Sequence, residues 1–305
     1  PWNKGKGNRF HDSDVPLYSH ILHLADRIAV LINPNEEPLS QRKTIEAKII
    51  DQKDKMFIPE LVDTFTRLAE REYFWLEASS PSRSSMMFRG VLKASIILDK
   101  NALLSFAKLF SRIIDFRSKH TATHSRGVAD VAEKIAELMG FSERETLDIK
   151  IAGYLHDLGK LSVPREILDK EEELSEGEFN IIKRHAFFTF SLIDQIESMD
   201  TINAWASYHH ERLDGTGYPF HLTSKDLPLG SRIIAVADIF TALTEDRPYR
   251  RGMESEHVLQ SLKQMAHDGQ IDDYIVSILE THAETIHTIR KHAQEEARKE
   301  YMDIM

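Results

Sequence analysis

The stretch YHHERLDGTGYP, residues 208–219, sets two adjacent histidines ahead of two glycines and a Tyr-Pro pair. It follows a helical-looking segment, and neighbouring positions on a helix point about 100° apart. His209 and His210 could therefore serve different metal ions, or one could bridge two ions while the other binds a single ion. The pattern indicates a metal site whose remaining ligands must come from elsewhere in the chain.

Further short motifs carry residues of the same chemical kind, each on or at the end of a predicted helix. They are His124 in THSRGV, His156 and Asp157 in YLHDLGK, His185 in IKRHAFF, and Asp238 in AVADIF. Together the motifs hold five imidazoles and two carboxylates, more than one tetrahedral ion needs, which favours a two-metal cluster with a bridging aspartate. Because the chain has no cysteine, the ligands are nitrogen and oxygen, and this favours iron, manganese, nickel or zinc over calcium.

Most of these motifs also have a simpler explanation. His185 beside two phenylalanines is typical of a packed histidine, and Asp238 alone could cap a helix or pair with an arginine. The His-Asp pair of YLHDLGK is harder to explain in this way, because a carboxylate buried among leucines needs a cation or hydrogen-bond donors to compensate it. His120, one helical turn before His124, is either an additional ligand or a neighbour.

The composition limits the class of protein. The 305 residues are 41% hydrophobic, which is enough for one large or two modest domains, and the absence of cysteine excludes disulfides. A formal net charge of −10 argues against DNA or RNA as a partner. No apolar run is long enough to cross a membrane, and we expect a cytoplasmic protein. The chain starts at Pro1, which we interpret as a fragment with room for an upstream sensory domain.

The apolar pattern predicts an all-α fold class. Apolar residues recur every three or four positions in most windows, and alternating strand-like runs are nearly absent. Ser142 with Glu145, and Ser175 with Glu178, each match a capping box, which marks the start of a helix. The predicted helices cover roughly 16–31, 40–51, 58–77, 101–117, 122–139, 143–157, 175–197, 201–210, 229–245, 255–267 and 272–300.

The chain also contains an internal repeat. A shift of 212 positions lays VPLYSHILHLAD, 15–26, over LPLGSRIIAVAD, 227–238, and both stretches end on an aspartate. Residues 1–84, which end within the Ser/Pro-rich linker ASSPSRSS (78–85), are therefore predicted to be a degenerate helical half-repeat that serves as a scaffold or dimer surface. Residues 85–305 are the predicted catalytic domain. Chance similarity between amphipathic helices is the alternative explanation.

The order of the motifs is more specific than any one of them. HDLGK, a later histidine in IKRHAFF, then HHERLDGTGYP and ADIFTALTEDRPYR follow one another within about residues 100–270. This order resembles the HD-GYP family, a branch of the HD metal-dependent phosphohydrolases. The resemblance implies an HD-domain helical bundle that holds two or three metal ions. It also implies hydrolysis of a cyclic dinucleotide, either cyclic di-GMP or 3′3′-cyclic GMP-AMP.

The resemblance further implies which residues bind metal. One ion would be held by His124, His156, Asp157 and Asp238, and the other by His185, His209 and His210, with Asp157 bridging the two. Family members with a third ion carry a Glu one turn before the first ligand histidine, where this chain has His120. We therefore expect two divalent transition metal ions and no third, with iron or manganese ahead of nickel or zinc.

The same resemblance implies the contacts to substrate. Lys160 would meet a phosphate oxygen or the leaving oxygen, and Tyr218 would face a base or ribose. Arg247 and Arg250, in DRPYR, would hold a substrate phosphate. A hydroxide shared by the ions that Asp157 bridges would attack phosphorus and release a linear 5′-phosphorylated dinucleotide. Without the resemblance, Lys160 could be a solvated lysine and the two arginines could pair with neighbouring acidic residues.

Two other functions stay open at this level. The first is a catalytically silent module that binds a cyclic dinucleotide or a protein, and the complete set of ligands counts against it. The second is a general HD-type nucleotidase, and the intact GYP loop counts against it. The sequence leaves open which of the two cyclic dinucleotides is preferred and whether the protein is a homodimer.

Overall fold

Helices make up nearly all of the regular structure in the computed structural model of the chain, and this confirms the predicted all-α fold class. The structure describes residues 2, 9–10, 13–80, 98–115, 123–170, 172–245 and 252–302. The chain divides into two compact units, Pro1–Ser95 and Ile96–Met305. The domain boundary predicted from the sequence lies in residues 81–97, outside the described residues, and stays a prediction.

The first unit is a small helical assembly with a short antiparallel pair of strands at its start. Its elements are β1 (Arg9–Phe10), β2 (Ser13–Asp14), α1 (Leu17–Leu31), α2 (Pro38–Asp51), α3 (Pro59–Ala69) and α4 (Glu72–Ser79). The inward faces of these helices are apolar, and Ile45, Val62 and Trp75 are buried. The Trp75 indole donates a hydrogen bond of 2.9 Å to the carbonyl oxygen of Ala69, so its polar atom is satisfied within the core.

The second unit is a larger bundle of helices. Its helices are α5 (Lys100–Asp115), α6 (His124–Leu138), α7 (Glu143–Leu155), α8 (Arg165–Leu168), α9 (Glu176–Ile193), α10 (Asp200–Ser207), α11 (Leu229–Thr244), α12 (Ser255–His267), α13 (Asp273–Thr281) and α14 (Ala283–Met302). A 3-10 segment, Leu158–Ser162, lies between α7 and α8. None of the helices in the described part of the chain is long and apolar enough to cross a membrane.

The core of the second unit lies where α6, α7 and α11 pack together. Val131, Ile149 and Ile233, one from each helix, are completely buried. Burying an aliphatic side chain of this kind contributes about 1.5–3 kcal/mol, so these helices are held firmly against one another. Each of them carries, or leads into, predicted metal ligands, and the core therefore fixes the positions of those ligands.

Both predicted capping boxes are present. At the start of α7, the Ser142 hydroxyl accepts a hydrogen bond from the Glu145 backbone N–H, and the Glu145 carboxylate accepts one from the Ser142 backbone N–H. Ser175 and Glu178 make the same pair of contacts at the start of α9. These local hydrogen bonds satisfy N–H groups that a helix start would leave unpaired.

Several predicted helices end differently in the structure. The predicted helix 58–77 is broken before Arg71, whose extended backbone caps the start of α4. The predicted helix 272–300 is broken at His282. The predicted helix 143–157 ends at Leu155, and the chain then tightens into the 3-10 segment. Apolar periodicity continues across these points, so the sequence pattern could not reveal the breaks.

Candidate metal centre

The structure brings the predicted metal ligands together in one buried region of the second unit. Three groups each have ligand atoms that all lie within 4.8 Å of one another. The groups are His185, His209 and His210; His124, His156 and Asp238; and His156, Asp157 and His209. The first two groups correspond to the two ion sites expected from the sequence, and the third joins them.

Some of these side chains lie at helix ends, and others lie in the middle of helices. His124 is the first residue of α6, and His156 and Asp157 follow directly after α7. His209 and His210 follow α10, so backbone that has left the helix can aim two adjacent side chains into one site. His185 and Asp238 lie within α9 and α11, respectively.

Three of the histidines share one orienting contact. The Nδ1 atoms of His156, His185 and His209 donate to the backbone carbonyl three residues earlier, at 2.8, 2.6 and 2.7 Å respectively. A carbonyl oxygen can only accept, so Nδ1 of each ring carries the hydrogen. The Nε2 atom of each ring therefore carries a lone pair that points into the site. A histidine that binds a metal ion has the same tautomer and orientation.

The donor set fits a cation. Nε2 of His185 lies 3.3 Å from Nε2 of His209, and both are lone-pair atoms, so they repel each other unless a positive ion lies near them. The Nε2 atom of His156 is buried and makes no hydrogen bond among the described residues. The Asp157 carboxylate lies between these rings, with Oδ2 3.2 Å from His156 Nε2 and Oδ1 3.4 Å from His185 Nε2. Nitrogen and carboxylate oxygen donors in this arrangement could hold transition metal ions.

Burial keeps most of these imidazoles neutral. Desolvation lowers the pKa of His185 to about 4 and that of His209 to about 3, and it holds the pKa of His210 well below its usual value. A neutral imidazole is the form that binds a metal ion, so these side chains are ready to bind across the physiological pH range.

His124 behaves differently because it lies between two carboxylates. Its Nε2 is 3.1 Å from Asp238 Oδ1, and its Nδ1 is 3.3 Å from Glu245 Oε2. Burial alone would lower the pKa of His124, but the two neighbouring carboxylates outweigh burial and raise the pKa to about 10. Burial would likewise raise the pKa of Asp238, yet the contact with His124 holds it well below its usual range. A metal ion at Nε2 would replace that proton.

Glu245 is a site residue that sequence reasoning missed. Its side chain is buried, and besides facing His124 it accepts hydrogen bonds at Oε1 from the Thr123 hydroxyl (2.8 Å) and from the Gln294 amide (3.1 Å). Gln294 comes from α14, at the other end of the second unit's sequence. The only sequence signal was the proximity of Glu245 to DRPYR, which had suggested pairing with the arginines of that motif.

Lys160 contacts the candidate metal centre through the Asp157 carboxylate. The 3-10 segment after α7 turns Lys160 back, so that its Nζ donates to Asp157 Oδ2 at 2.5 Å. Burial raises the pKa of Asp157, but the contacts with His156 and Lys160 outweigh burial and hold it well below its usual range. The segment packs against α9 so closely that a Cβ on Gly159 would lie 1.9 Å from the His185 carbonyl oxygen.

The loop after His209 and His210 is stabilised by hydrogen bonds to one of its own side chains. The buried carboxylate of Glu211 accepts hydrogen bonds from the backbone N–H groups of Phe220 (2.7 Å) and Leu222 (2.9 Å). The loop is so tight that a Cβ on Gly217 would lie 2.3 Å from the Glu211 Cα. This arrangement places the Tyr218 ring in a stack on His210, with centroids 4.8 Å apart. Glu211 had looked like an ordinary charged residue in the sequence.

Three predicted residues cannot be placed. His120, Arg247 and Arg250 lie outside the described residues. Their expected roles, as an additional ligand or as phosphate contacts, stay predictions.

Comparison with known families agrees with this geometry. The pattern that defines the HD domain family matches residues 108–275, which is more than half of the chain and includes every described ligand candidate. The chain is an HD-GYP member of the HD domain family. HD domains are metal-dependent, and this one contains the His/Asp groups described above that could hold metal ions.

Relatives of this HD domain protein are phosphodiesterases by name. The 3′3′-cGAMP-specific phosphodiesterase 1 of Vibrio cholerae is 30% identical over 92% of this chain and 66% of its own length. A cyclic di-GMP phosphodiesterase response regulator of Xanthomonas campestris is 38% identical over 50% of this chain and 41% of its own length. The chain thus spans less than two thirds of the length of these relatives.

A solved structure is also similar. The crystal structure of a cyclic GMP-AMP specific phosphodiesterase of Vibrio cholerae, V-cGAP3, shares 27% identity, with a TM-score of 0.45, over 92% of this HD domain protein and 64% of that chain.

Proposed function

We propose that this protein is a metal-dependent phosphodiesterase that hydrolyses a cyclic dinucleotide, cyclic di-GMP or 3′3′-cyclic GMP-AMP. The observation that carries the proposal is the pair of three-residue donor groups, each with two buried members, that Asp157 joins, with the Nε2 atoms of His185 and His209 facing each other at 3.3 Å. The names of the relatives, which specify those two substrates, support the substrate class.

The proposal assigns two divalent ions to this centre. His124, His156, Asp157 and Asp238 would hold one ion, His185, His209 and His210 would hold the other, and Asp157 would serve both. Imidazole and carboxylate donors suit iron or manganese, with nickel or zinc as alternatives. The bound ions would supply an activated water and take up charge from the phosphate oxygens.

The protein's own side chains complete the reaction. The oxygen of water forms a bond to phosphorus, the bond from phosphorus to the 3′-oxygen breaks, and that oxygen gains a proton, which leaves a linear dinucleotide with a 5′-phosphate. Lys160, whose ammonium lies against Asp157, is positioned to meet a phosphate oxygen or to protonate the leaving oxygen. Asp157 keeps its charge because the pKa of its carboxyl is held low, so it stays available as a shared ligand.

The first test is turnover by the metal-loaded chain. Protein purified without chelator is expected to contain about two ions per chain and to convert cyclic di-GMP or 3′3′-cyclic GMP-AMP to the linear 5′-phosphorylated product. Mononucleotides tested alongside would detect a general nucleotidase. A metal-loaded sample that leaves both cyclic dinucleotides uncut contradicts the proposal, and a sample that binds them without cutting supports a silent receptor.

We also propose that residues 1–84 are a degenerate half-repeat that acts as scaffold or dimer surface. Helices α1 and α11 begin 212 positions apart, each after a proline with extended backbone. Each unit also has a backbone hydrogen bond near the corresponding positions, from Trp2 N to Met56 O (2.8 Å) in the first unit and from Leu213 N to Gln270 O (2.9 Å) in the second. These internal similarities support a shared ancestry of the two halves.

A further inference from the structure

An aromatic and cationic group lies beside the metal centre, on the face of α9 that meets the loop after the histidine pair. The Lys183 ammonium lies 5.1 Å from the centroid of the Tyr218 ring and 5.3 Å from that of the Phe179 ring. The two rings contact each other edge to face, with centroids 6.4 Å apart. Phe179 and Lys183 are one helical turn apart on α9, so both project to the same side.

This group is connected to the metal ligands by ring contacts. One neighbour of Tyr218 is the His210 imidazole, on which it stacks, and its other neighbours are Lys183 and Phe179. Phe179 is the outermost member and is 43% exposed. The Glu211 hydrogen bonds hold the loop that carries Tyr218, so the group is a fixed surface that leads outward from the centre.

We propose that Phe179 and Lys183 form a guanine-binding subsite for the substrate. This inference rests on the proposed function, because it places a substrate phosphate at the metal centre and asks where the attached base lies. An exposed ring offers a stacking face for a nucleobase, and stacking of bases on aromatic side chains is a common source of affinity in nucleotide binding. Lys183 then donates hydrogen bonds to the base edge.

The charge at this subsite favours guanine over adenine. Guanine presents two acceptors, O6 and N7, on one edge, whereas adenine presents the N7 acceptor beside the N6 amino donor. An ammonium group has only donors, so it matches the guanine edge and meets the adenine amino group donor to donor. The contact of Lys183 with two ring faces holds the ammonium in place.

The test compares substrates that differ in their bases. Phe179→Ala removes the stacking ring, Lys183→Met removes the donors, and Lys183→Arg keeps them. Leu192→Ala is the matched control for Phe179, since Leu192 lies on the same helix and is also 43% exposed. Lys263→Met on α12 is the control for Lys183. Each metal-loaded variant is assayed with cyclic di-GMP, cyclic di-AMP and the base-free diester bis(4-nitrophenyl) phosphate.

The expected results separate base recognition from chemistry. Phe179→Ala is expected to raise the KM for cyclic di-GMP roughly ten-fold with little change in kcat. Lys183→Met is expected to lower the ratio of kcat/KM for cyclic di-GMP over cyclic di-AMP about ten-fold, and Lys183→Arg to restore it. Hydrolysis of the base-free diester should stay unchanged in every variant.

Other outcomes overturn the inference in distinguishable ways. An equal loss on both cyclic dinucleotides in Lys183→Met would mean that Lys183 contacts phosphate, and the guanine-reading role would be wrong. Variants that match their controls on every substrate, in an enzyme that cleaves cyclic di-GMP, overturn the subsite alone. A wild-type protein that cleaves the base-free diester but neither cyclic di-GMP nor 3′3′-cyclic GMP-AMP overturns the proposed function, and the subsite with it.

Discussion

At the scale of single residues, His124 shows how a neighbouring carboxylate can prepare a candidate metal ligand. Glu245 Oε2 faces its Nδ1 at 3.3 Å, while Nε2 faces Asp238. The carboxylate of Glu245 keeps a hydrogen on Nδ1, which leaves Nε2 for the metal and makes the imidazole a stronger base. Thr123 and Gln294 hold Glu245 itself in place.

Glu245→Gln is therefore expected to weaken metal binding. The Oε1 atom of Glu245 accepts two hydrogen bonds and Oε2 faces a nitrogen that carries hydrogen, so a glutamine amide would set a donor against a donor in either orientation. Loss of such a partner reduces metal affinity about 10–100-fold. Competition with a chelator measures the affinity, and the melting temperature of the metal-free protein checks the fold. Glu280→Gln, an exposed carboxylate paired with Lys263, is the control, and equal affinities in the two variants would contradict the assignment.

Metal affinity is also expected to depend on pH through His124. Its pKa is raised to about 10, because Asp238 and Glu245 outweigh the effect of burial, so below that pH a metal ion must displace a proton from it. His185 and His209, with pKa values of about 4 and 3 caused by burial, are already neutral. Between pH 6 and 9 the affinity should therefore rise about ten-fold per pH unit, which reflects one displaced proton. A chelator of known proton affinity measures the slope, and a flat profile would contradict the protonated state.

The ligand candidates could be predicted from sequence because each lies in a short motif of distinctive residues. Glu245 and Glu211 could not be, because their roles depend on partners that only the folded chain supplies. Gln294 reaches Glu245 from the last helix, and the two amides bound by Glu211 belong to a loop whose path has no sequence signature of its own.

At the scale of helices, two starts could be predicted from contacts between near neighbours in the sequence, whereas the end of α7 could not. The capping boxes at Ser142 and Ser175 are local, since the partners are three residues apart, and both are present in the structure. The end of α7 is not local, because the 3-10 segment that follows it is stabilised by α9. The Thr189 hydroxyl donates to the His156 carbonyl (3.0 Å) and accepts from the Gly159 N–H (2.9 Å). The bend that turns Lys160 towards Asp157 therefore depends on tertiary contact.

Gly159→Ala tests this packing. The added methyl carbon would lie 1.9 Å from the His185 carbonyl oxygen, and neither backbone can move without displacing a metal ligand. We expect a loss of stability of about 3 kcal/mol or more and a lower metal content. Gly177→Ala, at the start of α9, is the matched control, because nothing lies within 4 Å of its added carbon. Thermal melting and metal analysis of both variants give the comparison, and an unaffected Gly159→Ala would show that the segment packs more loosely.

At the scale of the whole molecule, the fold class and the family could be predicted from sequence, because helical periodicity and a long ordered set of motifs both extend over most of the chain. The different roles proposed for the two units could not be predicted from the sequence in the same way. A repeat alignment compares residue types and says nothing of burial. The described ligand candidates all lie in the second unit. The first unit contains Asp26, which aligns with the ligand candidate Asp238 in the repeat.

That counterpart offers a matched pair of substitutions in the intact chain. In the repeat, Asp26 aligns with Asp238, yet the Asp26 side chain is 52% exposed and pairs with its neighbour Arg27, whereas that of Asp238 is 14% exposed and faces His124. A mostly buried carboxylate beside an imidazole can share a cation, while an exposed one beside an arginine gains about 1 kcal/mol or less from its ion pair. Asp238→Asn should therefore remove one ion and abolish turnover, and Asp26→Asn should leave both the metal content and the rate unchanged. Metal analysis and cyclic di-GMP hydrolysis of the two variants test this expectation. Loss of an ion in Asp26→Asn would mean that the first unit takes part in metal binding, and this would contradict its proposed role as a scaffold.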